Sequence, residues 1–186
     1  MADFNDVIGT LNGIPQAINT ATEQGLADAA ILVVAAAKQK LGIYQPASGE
    51  YSAWPVLKPE SVHQKYRSRS KRYKISRAGR RYLQQHGQWG NGGNDDAPLI
   101  NKSHLRQAIT ADLSNVANGV AYVGIASGEN TKGASPGVYA AAHEFGLAAS
   151  NVPPRPFLRP AVIENKEAIQ ESITAALRNE VLNRWR

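Results

Sequence analysis

A chain of 186 residues with 42% apolar content is long enough to bury a core, and its length suits one domain carrying an insertion. No apolar run approaches the roughly 18 residues of a membrane span, the opening residues lack a signal-peptide pattern, and zero cysteines excludes disulfides and thiolate metal sites. The net charge of +6 is local: nine Lys or Arg lie between Lys65 and Arg81, and no acid occurs from Ser61 to Asn94. The remainder (21 − 9 = 12 basic residues against 15 acidic) is slightly acidic.

In chain order, "TATEQGLADAAILVVAAAKQKLG" (20–42) predicts the first major helix. Thr20 or Thr22 caps it, Lys38 and Lys40 suit its last turn, and Gly42 takes the left-handed position that ends it. The segment before it is read as a helical turn or two broken by Pro15. Residues 43–97 change character and read as a loop-rich basic insertion. "GIYQPASGEYSAWPVLKPES" is loop with aromatic anchors, a helix is predicted from Ser61 with Tyr66, Tyr73 and Tyr82 along it, and "QWGNGGNDDAP" is a flexible link.

After the insertion, Ser103 caps a short turn, and Ile109, Ala111 and Leu113 alternate with polar residues. Val120, Tyr122 and Gly124 do so on the return, with Asn118-Gly119 between as a type I′ turn signal. "GENTKGAS" is a second flexible loop. Ser135-Pro136 starts a short helix that ends at Gly146, and residues 161–185 form the last long helix, with Val162, Ile169, Ile173, Leu177 and Val181 on one face. The predicted fold is α+β: a small antiparallel sheet with a clear hairpin, packed by two long helices, in a single domain.

His143-Glu144 invites a metal or acid/base reading. A helical zinc pattern needs a second His four residues on, where Leu147 stands, and adjacent helical residues point about 100° apart. A structural reading is stronger: Tyr139, His143 and Gly146 share one face, while Glu144 faces elsewhere and meets Arg155 or Arg159. "NVPPRPFLRP" is a stiff extended strap, because Pro fixes its own φ and restricts the residue before it, and it presents Phe157 and Leu158 at a set place. A proline-motif ligand at 153–156 is the weaker alternative. Asp95-Asp96 reads as solvated, and "GNGGN" lacks the Lys and following helix of a phosphate loop. The basic segment has three readings: a solvated arm, a nucleic-acid contact through residues 61–86, or docking on an acidic protein.

"DAPLINKSHLRQAI", "AYVGIAS", "GVYAAAHEFG" and "VPPRPFLRPAV" follow one another in an order that resembles the head–tail joining and tail-completion (virion morphogenesis) proteins of long-tailed bacteriophages. The resemblance covers residues 96–162. His104 stands where that family commonly has Gly, and the insertion is outside it. The resemblance implies a structural neck protein of the virion, without catalysis, cofactor or metal, made in the host cytoplasm. It implies a ring of six subunits between head connector and tail tube or tail terminator, with DNA passing through the lumen without sequence-specific binding and no membrane partner. Assembly candidates are then Tyr139, His143, Glu144, Phe145, Gly146, Pro153, Pro154, Arg155, Pro156, Phe157 and Leu158. The basic arm would dock on an acidic neighbour through Lys65, Tyr66, Arg67, Arg69, Lys71, Arg72, Tyr73, Lys74, Arg77, Arg80, Arg81 and Tyr82, because tight phosphate binding would hinder DNA exit.

Overall fold

The computed structural model describes residues 4–67, 74–100, 104–126 and 135–183. The expected cap at Ser103, the loop "GENTKGAS" up to Ala134, and arm residues Arg69, Lys71, Arg72 and Tyr73 lie outside them. Among the described residues the chain is α+β, with seven α-helices and a two-stranded antiparallel sheet.

Contacts divide the chain into two compact, interleaved units. One comprises Met1–Ala36, Ile109–Gly124 and Ala161–Arg186; the other comprises Ala37–Ala108 and Ile125–Pro160. In the first, helix α1 (Phe4–Lys40) and helix α7 (Lys166–Asn183) pack with strands β1 (Ile109–Asp112) and β2 (Tyr122–Ile125). The helices approach closely because α1 presents Ala17, Ala21, Ala29 and Ala30 to the core, and Gly25 lets α7 in. A Cβ on Gly25 would lie 2.7 Å from the Cα of Ile173.

Helix α1 corrects the sequence reading. It runs through Pro15 from Phe4 instead of breaking there. Proline forfeits one backbone hydrogen bond and commonly kinks a helix, yet here long helical runs on both sides carry the chain past it. The hairpin turn is also different. Asp112 Oδ1 accepts the Ser114 N–H, and Val116–Asn118 forms a 3₁₀ turn. Of the Asn118-Gly119 pair only Gly119 has positive φ, at +76°, so the connection is not type I′, which needs both.

In the second unit Gly42 ends α1 as expected, at φ +95°, and donates its N–H to Pro98 O at 2.8 Å. The predicted single helix from Ser61 is instead two, α2 (Pro59–Lys65) and α3 (Arg77–His86), with Arg67 bridged to Ile75. Ser76 Oγ caps α3 by accepting the Gly79 N–H. A Cβ on Gly79 would come within 2.8 Å of Tyr66 Cβ, so this glycine sets how closely α3 approaches the chain before it. Short helix α4 (His104–Ala108) packs on α5 (Pro136–Phe145). Pro136 opens α5 as read, but Ser135 makes no side-chain cap. The strap ends sooner than expected, because α6 (Leu158–Glu164) already begins at Leu158, and the single last helix expected over 161–185 is instead two, α6 and α7, parted at Asn165.

Candidate assembly site

The "HEFG" and "PPRPFLRP" segments meet at Glu144. Only Ala140 and Glu144 of α5 are fully buried, so Glu144 faces inward, on a different face from Tyr139 and His143 as expected. Its Oε2 accepts the N–H groups of Phe157 (2.7 Å) and Leu158 (3.0 Å), and its Oε1 accepts those of Arg159 (3.0 Å) and the Arg159 Nε (3.1 Å). The Arg159 guanidinium also donates to Glu144 O at 3.0 Å and lies 4.6 Å from the centre of the Phe145 ring. A helix start leaves backbone N–H groups without partners and favours negative charge, so one carboxylate serves as the cap of α6. Of the two expected partners, Arg159 is the one that pairs with Glu144.

Arg155 has a separate task. It is 4% exposed, its N–H donates to His143 O at 2.6 Å, and its guanidinium donates to Pro55 O at 2.9 Å. Trp54 Nε1 donates to Pro156 O at 3.2 Å, so the proline strap is held from the insertion as well as from α5. Gly146 is left-handed in φ (+79°), and Pro154 packs where its Cβ would be. Leu147 and Val152 pair through both backbone bonds, closing the small turn between them. Phe157 is wholly buried, as an anchor, and Pro156 is buried beside it, whereas Leu158 is half-buried. Pro153 is half-buried, Pro154 exposed, and Tyr139 half-buried.

His143 Nδ1 is buried with no hydrogen-bond partner. Burial, and then the Arg155 charge, push its pKa below the ordinary 6.5. Both Glu144 carboxylate oxygens are taken up by three backbone N–H groups and the Arg159 Nε, on a different face of α5 from the His143 ring. No group of three or more His, Asp or Glu suited to a metal occurs among the described residues.

Beside the clamp is an open apolar groove of about 220 Å³, lined by Ile125, Ala140, Ala141, Phe145 and Leu158 among others. Phe145 is 67% exposed, and Val138 and Leu147 on the same segment are also exposed.

The basic segment divides between structure and surface. Asp96, read from sequence as solvated, is fully buried. Its Oδ2 accepts Tyr44 Oη (2.8 Å) and Gly92 N–H (2.9 Å), and its Oδ1 accepts Tyr82 Oη. Burial raises both Tyr44 and Tyr82 to about 12. Lys65 Nζ donates to Asp96 O at 2.6 Å and to Ala97 O, and burial lowers it to about 8. Tyr82 is 3% exposed and stacks on Trp89, which also stacks on Tyr66; Tyr66 Oη donates to Asp95 O at 2.7 Å. Lys65, Tyr66 and Tyr82 are therefore parts of the fold, where the sequence had them as docking anchors. The linker "QWGNGGNDDAP" is likewise built into this cluster. Lys74, Arg77, Arg80 and Arg81 are exposed, as is Arg67. The burial of Asp96 left no local signal beyond its place after a glycine-rich turn, since its partners stand up to 52 residues away.

No family model matches the chain, and neither a curated protein nor a solved structure was found that matches it.

Proposed function

We propose that this chain is a structural protein of a long-tailed phage neck, acting in tail completion or head–tail joining and assembling as a ring between head connector and tail tube. The observation that carries the reading is the Glu144 clamp. It joins "HEFG" to "PPRPFL", the two segments on which the resemblance chiefly rests, through a buried carboxylate that holds three successive backbone N–H groups. A carboxylate committed in this way holds architecture, and it leaves Phe145 and Leu147 outward as apolar contact surface. In this reading the protein resides in the virion neck, DNA passes through the lumen, and the exposed arginines of α3 meet an acidic neighbour.

A second reading, nucleic-acid binding through residues 61–86, draws on those same arginines. Arg77, Arg80 and Arg81 fall on one outer face of α3, which carries no acidic residue in its first turn. The aromatic residues Tyr66, Tyr82 and Trp89 are engaged with one another, which weakens the case for base stacking.

Gold labelling of virions against this chain, with negative-stain microscopy of the purified protein, tests the proposal. Label at the head–tail junction and rings in the absence of DNA are expected. Label elsewhere, with tight and steeply salt-dependent DNA binding by the free protein, would replace it with the second reading.

A further inference from the structure

Two apolar surfaces of opposite shape lie uncovered on this chain. The first is on α1. Ile8, Leu11, Pro15 and Ile18 are all exposed, and their 3-4-3 spacing is that of a helix-packing seam. Leu11 lies about five turns before Ala29, on the same line along the helix. At Ala29, Val33 and Ala37 that line is buried; at residues 8–18 it is bare. No described side chain of α1 before Ala17 is buried. A helical stretch of this length is marginal in water without a packed face, so it needs a surface to lie on.

The second surface is the groove beside α5, lined by Ile125, Ala140, Ala141, Phe145 and Leu158. At about 220 Å³ it is smaller than the roughly 300–1,000 Å³ of small-molecule pockets, and nearly all of its lining is apolar. It suits an inserted aliphatic side chain better than a ligand that needs polar recognition. A head-to-tail ring requires two different, complementary patches on every subunit. A convex aliphatic seam and a concave aliphatic groove are such a pair.

We propose that the first half of α1 in one copy packs on the α5 face of the next copy, with Leu11 inserted in the groove and Ile8 and Ile18 against its rim. The occupant of the groove is thus a second copy of this chain. The contact deepens the ring reading and rests on it only for closure.

The test is sedimentation or light scattering of the full chain over a range of concentrations, with Leu11→Glu on the seam and Ala141→Trp in the groove. Both sites are exposed, and Glu and Trp leave helices intact, which circular dichroism checks. Each substitution alone should weaken self-association at least tenfold, roughly the loss of one anchoring side chain. An equimolar mixture of the two variants should form a dimer, since one retains a working groove and the other a working seam. Two outcomes would overturn the contact: a wild-type chain that stays monomeric, or a mixture no more associated than either variant alone. Wild-type rings that neither substitution disturbs would overturn it too, but leave the ring reading standing. Oligomers that obey the mutational pattern yet grow as open chains would keep the contact and overturn the ring.

Discussion

Glu144 carries four hydrogen bonds on a buried carboxylate, three of them from backbone groups that have no alternative partner once a side chain is cut away. Glu144→Ala should therefore cost about 3 kcal/mol or more in urea unfolding, since buried donors left unpaired and bonds to a charged acceptor are the expensive ones to lose. A loss under about 1 kcal/mol would mean water replaces the carboxylate and the clamp is incidental. Phe157→Ala should cost about 3–5 kcal/mol, because the ring is wholly buried and a cavity would remain. His143 gives a pH signature. Its folded pKa lies below the ordinary 6.5, so the unfolded chain takes the proton first as the pH falls. The stability due to the neutral buried ring is intact above about pH 6.5 and is lost as the pH falls from there through the folded pKa. In His143→Gln the unfolding free energy should fall less than in wild type between pH 7 and 5; parallel curves would show that the imidazole is not what titrates.

Among the elements, α1 and α7 depend on a contact that opposes local propensity. Ala is a better helix former than Gly by about 1 kcal/mol, so Gly25→Ala should stabilise α1 taken alone. In the folded chain the new Cβ meets the Ile173 backbone at 2.7 Å and Ala176 Cβ at 3.3 Å, and a backbone neighbour cannot step aside as a flexible side chain can. The expected outcome is net destabilisation, with overpacking of about 1–3 kcal/mol exceeding the propensity gain. A higher melting temperature for Gly25→Ala would show that α7 yields at that point. Element ends were legible in the sequence where the signal is local. Gly42 and Gly146 end their helices with positive φ, and Pro136 opens α5. Pro15 misled because a local rule about hydrogen bonds does not count the helical residues on either side, which carry α1 across it.

For the whole molecule, the charge excess is not all surface: one of its cations is built into the fold while others stand exposed. Lys65 is committed to carbonyls of the Asp96–Ala97 turn, while Arg77, Arg80 and Arg81 are exposed. Replacing those three with Gln should leave the melting temperature within a few degrees of wild type, since exposed substitutions are usually worth within about 0.5 kcal/mol. If head–tail joining in reconstituted particles fails while rings form, the α3 face meets a neighbouring protein. If instead DNA binding weakens and its log–log salt slope falls by about 0.9 per lost phosphate contact, the face is a nucleic-acid contact and the docking reading is wrong.

The sequence by itself determined the α+β class, the hairpin's two strands and the ends of α5. Each follows from spacing or turn chemistry within a few residues, where backbone geometry leaves few choices. Only the tertiary structure decided that α2 and α3 are separate helices, that Asp96 is a buried hub and that Glu144 caps α6. All but one of the donors to the two carboxylates come from 13 to 52 residues away, and a carboxylate's cost of burial is offset only when the fold brings its donors to it.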